Sequence, residues 1–161
     1  MMRKIKIYWI EDKKDFVTGL LKRKIKFILE DLNILPNNGN VDYSDYLNDR
    51  DIWIYRGENL EVNFEHTDYV YELGMMAKWA NDNDVTIFLI DFNLKDHNGD
   101  GLNGDQIIAE IRRHNDCKII FYSSEATQEE LRQKLNNLIN LECVARENLL
   151  DHFSRHLAEI L

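Results

Sequence analysis

The chain is poor in the residues that mark stapled, secreted or extended proteins. Proline occurs once in 161 residues, as Pro36, inside the break Leu35-Pro36-Asn37-Asn38-Gly39-Asn40. No repeat and no low-complexity segment is present, so the sequence reads as a single domain over residues 1–161. Cysteine occurs twice, as Cys117 and Cys143, without CxxC spacing. That excludes a disulfide framework and predicts two buried free thiols in a reducing cytosol. No apolar run reaches the length of a membrane span, and no signal-peptide core follows Met1-Met2-Arg3-Lys4. Positive charge is also short: 20 Lys and Arg against 29 Asp and Glu give a net charge of −9. This argues against nucleic acid as a direct partner. The exception, Lys22-Arg23-Lys24-Ile25-Lys26, falls inside an expected helix and reads as a solvated face.

What the chain does have is 44% hydrophobic residues, enough for a core, arranged in alternating strand and helix patterns. Residues 4–10 read as a buried strand. From Lys13 to about Leu32 the apolar positions keep helical spacing. Residues 41–51 are polar and carry no firm assignment. Ile52-Trp53-Ile54-Tyr55 reads as a strand and Arg56-Gly57-Glu58-Asn59 as a turn. Leu60, Val62 and Phe64 then alternate with polar residues, which predicts a hairpin. Its aromatic residues, Trp53, Tyr55 and Phe64, make it a candidate partner surface.

Thr67 is placed to cap a helix whose apolar face runs from Tyr69 to Ala80. Residues 85–90 form a continuous apolar strand of the doubly covered kind. A polar loop, Lys95 to Asn103, leads to a helix over 104–114. Lys118 to Tyr122 is another strand. Thr127-Gln128-Glu129-Glu130 has capping-box form and opens a helix. Leu141 to Ala145 is the last strand, and 147–161 the last helix. Five β-α units in this order predict an α/β, flavodoxin-like, doubly wound five-stranded parallel sheet. The expected strand order is 2-1-3-4-5, with an extra hairpin inserted before the second helix, at about residues 36–66.

The chemistry gathers at the strand ends. A parallel sheet lines up the C-terminal ends of its strands along one edge, where ligands bind. The first strand ends in Glu11-Asp12 and the third in Asp91. The fourth ends in Ser123-Ser124 and the fifth in Arg146. Three carboxylates, a hydroxyl and a cation suit phosphoryl transfer. Carboxylate oxygens hold Mg²⁺, a carboxylate can be the nucleophile, and the cation stabilises the equatorial oxygens.

These residues give the chain its resemblance to the receiver domain of bacterial response regulators. The segments carrying it are Trp9-Ile10-Glu11-Asp12, Leu89-Ile90-Asp91-Phe92-Asn93, Asp100-Gly101-Leu102-Asn103-Gly104, Ile119-Ile120-Phe121-Tyr122-Ser123-Ser124 and Val144-Ala145-Arg146. The resemblance implies Asp91 as phosphoacceptor. It implies Mg²⁺ held by Glu11, Asp12 and Asp91, with the backbone carbonyl of Asn93. Ser123 would move onto the phosphoryl group, and Arg146 would supply the cation. Arg146 stands where the family has lysine, and Glu147 where it usually has proline. Cys143 takes the place of the switch aromatic, so an output signal must be carried differently. The loop after Asp91 is longer than usual.

The implied function is a cytoplasmic receiver of a two-component phosphorelay, not an enzyme beyond its own phosphorylation. Its partners would be a histidine kinase or phosphotransfer protein, and a downstream protein reached through the 52–65 hairpin or the last helix. It would be a stand-alone receiver or part of a longer chain. A pseudo-receiver that binds partners without phosphorylation is one alternative. A small Mg²⁺-dependent phosphohydrolase is another: Asp91-Phe92-Asn93 resembles the DxD motif of haloacid-dehalogenase phosphatases, with Asn93 for the second Asp. Asp96-His97-Asn98-Gly99-Asp100-Gly101 mimics the start of a calcium loop, but Ile107 stands at the twelfth position, where a glutamate is needed. The five histidines show no HExxH pattern. His152 and His156 share a helix face, which reads as a solvated or half-buried face rather than a zinc site.

Overall fold

Seven strands form the sheet: β1 (Arg3–Ile10), β2 (Val41–Leu47), β3 (Arg50–Arg56), β4 (Leu60–Thr67), β5 (Val85–Asp91), β6 (Lys118–Ser123) and β7 (Leu141–Ala145). Among the described residues the α-helices are α1 (Gly19–Asp31), α2 (Gly104–Arg112) and α3 (Leu149–Ile160). The computed structural model describes residues 3–11, 19–36, 41–47, 50–67, 85–92, 104–123 and 140–161, with Glu129 and Gln133. The helices expected over 67–80 and 127–139 lie outside these, apart from Thr67 and the helical Glu129 and Gln133. So do the start of the first helix and the calcium-like loop.

The strand order is β2-β3-β4-β1-β5-β6-β7. The five strands β4, β1, β5, β6 and β7 are mutually parallel, and they follow the expected order 2-1-3-4-5. The hairpin is present as β3 and β4, paired antiparallel from Arg50↔Thr67 to Arg56↔Glu61. One of its arms, however, is the second strand of the parallel core. The added material is β2 and β3, which extend the same sheet at that edge. Residues 41–47 form β2 although Val41-Asp42-Tyr43-Ser44-Asp45-Tyr46 has little apolar content. A strand laid against β3 takes its order from the ladder of backbone hydrogen bonds as well as from its own pattern. Thr67 ends β4 as a strand residue, and its carbonyl accepts a 3.0 Å hydrogen bond from Glu11 N–H.

The helices cover both faces, which is why β1 and β5 read as unbroken apolar runs. On one face, Leu21, Ile25 and Leu29 of α1 and Leu149, Phe153 and Leu157 of α3 pack on Ile7, Trp9, Leu89 and Tyr122. On the other, Ile107, Ile108 and Ile111 of α2 pack on Ile10, Ile90 and Phe121. Each such buried side chain contributes on the order of 1.5–3 kcal/mol.

The hairpin aromatics belong to the first layer and do not form a partner surface. Trp53 and Tyr55 are fully buried, and Phe64 is 1% exposed. Trp53 lies opposite Phe64 in register and stacks on it, ring centres 4.8 Å apart. The Lys22 ammonium sits 4.4 Å from the Trp53 ring centre, and the Tyr55 hydroxyl donates 2.6 Å to the Lys22 carbonyl. Lys22 is therefore buried, against the expected solvated face. Its stem packs along apolar surface and its charge meets an aromatic face. Arg23 and Lys24 remain exposed. Among the described residues no helix is long and apolar enough to cross a membrane.

Candidate functional site

Glu11 follows the last residue of β1, and Asp91 is the last residue of β5, its neighbour in the sheet. Arg146 opens a 3-10 turn, Arg146–Asn148, between β7 and α3. Ala145 before it is extended, φ −71° and ψ 146°, and no peptide bond among the described residues is cis. These three side chains, far apart in the chain, meet at one point. Arg146 Nη2 donates to Glu11 Oε1 at 2.7 Å and to Asp91 Oδ2 at 2.9 Å.

Burial makes that contact strong. Glu11 is fully buried and Asp91 is 1% exposed; the Arg146 side chain is 14% exposed. Two carboxylates at such depth need a cation, because an unpaired buried charge costs several kcal/mol. Arg146 serves both with one nitrogen.

Tyr122, Trp9 and His66, to which sequence alone assigns no individual role, hold Glu11 in place. The Tyr122 hydroxyl, fully buried, donates 3.4 Å to Glu11 Oε1. It accepts 2.7 Å from the Trp9 indole N–H. Burial, then the charges of Glu11 and Asp91, raise the Tyr122 hydroxyl well above its usual range, so it stays a donor. The Arg146 guanidinium lies 5.8 Å from the Tyr122 ring centre. On the other side, His66 Nε2–H donates 2.8 Å to the Glu11 carbonyl, so β4 grips the Glu11 backbone through His66 as well as Thr67.

Gly104, the first residue of α2, lies against the end of β5. A Cβ there would stand 2.4 Å from the Asp91 carbonyl oxygen and 2.7 Å from Phe121 Cε2. Its N–H donates 3.1 Å to the Phe92 carbonyl. One signal was available: Trp9 and Glu11 are two apart at the end of a strand and so face the same way. Tyr122, His66 and Gly104 gave none, since their roles depend on neighbours distant in sequence.

Ser123 ends β6 and is buried. It stands one residue beyond Tyr122, the register partner of Asp91. Asp12, Asn93 and Ser124 lie outside the described residues. Among the described residues no group of three or more His, Cys, Asp or Glu side chains gathers as a metal cage. The donor chemistry nonetheless fits Mg²⁺. Two hard carboxylate oxygens converge on one cationic atom, the arrangement a divalent cation takes with one or two carboxylates plus water and phosphate oxygens.

No family model matches the chain, and no curated protein matches its sequence. Solved structures do match. A CheY-like response regulator receiver domain protein from Methanospirillum hungatei JF-1 is 16% identical, with 99% of this chain and 96% of that chain covered and a TM-score of 0.51. The chain has the fold of a response regulator receiver domain. The signal receiver domain of a modulated diguanylate cyclase from Desulfovibrio desulfuricans G20 is 18% identical, covering 95% of this chain and 91% of that chain, with a TM-score of 0.47. In this receiver-type sheet, the strand ends carrying Glu11 and Asp91 are adjacent, and β2 and β3 lie on the far side of β4 from them.

Proposed function

We propose that the protein is a receiver module of a two-component phosphorelay, working in the cytoplasm, which accepts a phosphoryl group on Asp91 with Mg²⁺. The observation that carries this reading is the shared contact of Arg146 Nη2 with Glu11 and Asp91 at the sheet edge. A histidine kinase or phosphotransfer protein would present a phosphohistidine. An Asp91 carboxylate oxygen attacks the phosphorus, the P–N bond breaks, and the electron pair leaves with the imidazole nitrogen. The product is an aspartyl phosphate.

Arg146 would follow the new negative charge from Asp91 onto the phosphoryl oxygens. Ser123, at the end of the next strand, would donate its hydroxyl to one of them. Glu11 and Asp91, with Asp12 and the Asn93 carbonyl, would hold the Mg²⁺. A bound Mg²⁺ supplies charge neutralisation on the transferring group. The module would act by exchanging two conformations and altering a partner's binding. The last helix is the better candidate surface for a downstream protein, because the hairpin aromatics are buried.

One observation favours a second reading, the pseudo-receiver. Arg146 already pairs with both carboxylates from within the chain, a role a divalent cation would share. A single experiment separates the readings: incubation with Mg²⁺ and acetyl phosphate, followed by intact mass. One added phosphoryl group, lost in Asp91→Asn, is the expected result. No adduct would favour the pseudo-receiver. Repeated turnover of a phosphomonoester would make the protein a phosphohydrolase.

A further inference from the structure

Two donors share one oxygen in this pocket. Glu11 Oε1 receives Arg146 Nη2 at 2.7 Å and the Tyr122 hydroxyl at 3.4 Å. The first is a short, charge-assisted bond; the second is longer than an ordinary hydroxyl hydrogen bond and correspondingly weak. A fully buried carboxylate keeps its charge only while it is well solvated by donors. If the guanidinium is drawn off, Tyr122 is a donor already aimed at the same oxygen. It does not move alone. Its oxygen is held by Trp9 Nε1 at 2.7 Å, and the Trp9 ring lies 6.2 Å, centre to centre, from Phe64 of β4. Phe64 in turn stacks on Trp53 of β3 and meets Phe153 of α3 edge-on, ring centres 5.9 Å apart. The position expected to carry a switching ring holds Cys143, in the opposite core layer.

We infer that Tyr122 is the positioning residue of this pocket: its hydroxyl fixes the Glu11 carboxylate and passes the making or breaking of the Arg146–Glu11 bond to Trp9, and so to the aromatic layer beneath β3 and α3. The inference deepens the acceptor reading, since a phosphoryl group on Asp91 is what would draw Arg146 away. The relay itself uses only bonds within the chain.

The readout is the Trp9 indole ¹H–¹⁵N resonance, assigned by its loss in Trp9→Phe. Arg146→Met should move that resonance by more than its line width. In a Tyr122→Phe background the same substitution should leave it where Tyr122→Phe alone puts it. Arg146→Lys, which keeps the charge on a shorter reach, gives the same comparison if the Met variant does not fold. Tyr122→Phe should also raise the Mg²⁺ concentration for half-maximal change by on the order of tenfold, as loss of a partner to a metal ligand does. A Trp9 resonance that ignores Arg146, or that moves equally with and without the Tyr122 hydroxyl, overturns the relay. An unchanged Mg²⁺ midpoint in Tyr122→Phe overturns the positioning role. The acceptor reading fails separately, if ¹⁹F spectra show no bound beryllofluoride on the wild-type protein with Mg²⁺. The Arg146 comparison decides the relay in either case.

Discussion

Arg146 places one guanidinium nitrogen 2.7 Å from the fully buried carboxylate of Glu11, and the same nitrogen serves Asp91. Removing the cation takes a charged partner from two buried carboxylates. Arg146→Ala should therefore destabilise the fold by roughly 3–5 kcal/mol, the usual cost of breaking a buried pair from one side. Arg146→Lys should cost less, because a charge remains although the planar fork is lost. Urea unfolding with and without Mg²⁺ measures both. If Glu11 and Asp91 can hold a divalent cation, added Mg²⁺ should recover more stability in Arg146→Ala than in wild type. Equal recovery in the two proteins would remove the metal from this pocket.

Gly104 makes a second, steric prediction. The smallest side chain added there meets the Asp91 carbonyl oxygen at 2.4 Å and the Phe121 ring at 2.7 Å. The carbonyl is backbone at a strand end and cannot rotate away. Gly104→Ala should cost about 1–3 kcal/mol, as overpacking does, and should push α2 off the end of β5. The expected companion effect is slower labelling of Asp91 by acetyl phosphate than in Asp105→Ala, a control next door in α2. A Gly104→Ala protein with wild-type stability would show that α2 approaches Asp91 less closely than described.

Much of this was legible in the sequence, for identifiable reasons. β1, β5, β6 and β7 were readable because both faces of each are covered, leaving runs such as Ile87-Phe88-Leu89-Ile90 unbroken. Their ends were readable because Glu11, Asp91 and Arg146 interrupt or follow such runs with charge. β2 was not, since Val41 to Leu47 owes its order to β3. Trp53, Tyr55 and Phe64 read as a surface because a strand pattern says which residues share a face, but not whether a helix covers it. Lys22 was misplaced for a similar reason: charge in a helix predicts solvent, unless an aromatic ring lies beneath. Tyr122 and His66 acquire their roles only when β6 and β4 are set beside β1, a relation no local window contains.

The two thiols should be unreactive in the native protein. Cys143 is buried as expected, but Cys117, also free, is only half-buried. Burial raises the Cys117 thiol to about 11, against the opposing charge of Arg112. Its thiolate fraction at pH 8 is then roughly two hundredfold below that of an ordinary cysteine. Ellman's reagent at pH 8 should react slowly with the folded protein and promptly with both thiols in urea. Arg112→Ala should not speed the native reaction, since it removes the charge that most lowers Cys117. Prompt labelling of Cys143 without denaturant would contradict its burial.

Acid should loosen the packing of α3 on β7. Glu142 of β7 accepts a hydrogen bond from His152 Nδ1–H and an ion pair from Lys118 at 3.2 Å. Burial pushes the Glu142 carboxyl up, but the hydrogen bonds from His152 and Lys118 and their charges bring it below its usual value. His156, one turn further along α3, faces Lys118, Glu142 and Glu159. Burial, then the Lys118 charge, lowers it, with the two glutamates opposing.

A histidine lowered in the folded state binds its proton more tightly when unfolded, so stability falls as pH drops below its ordinary value, near 6.5. The depressed Glu142 contributes stability above the usual carboxylate range, and that is lost as pH falls through its folded value. Both slopes therefore run the same way, in two windows. Urea midpoints measured from pH 8 to pH 3 should decline first near pH 6 and again below about pH 4.5. His156→Phe should flatten the upper decline alone, and Glu142→Gln the lower. An upper decline that survives in His156→Phe would assign it to another group.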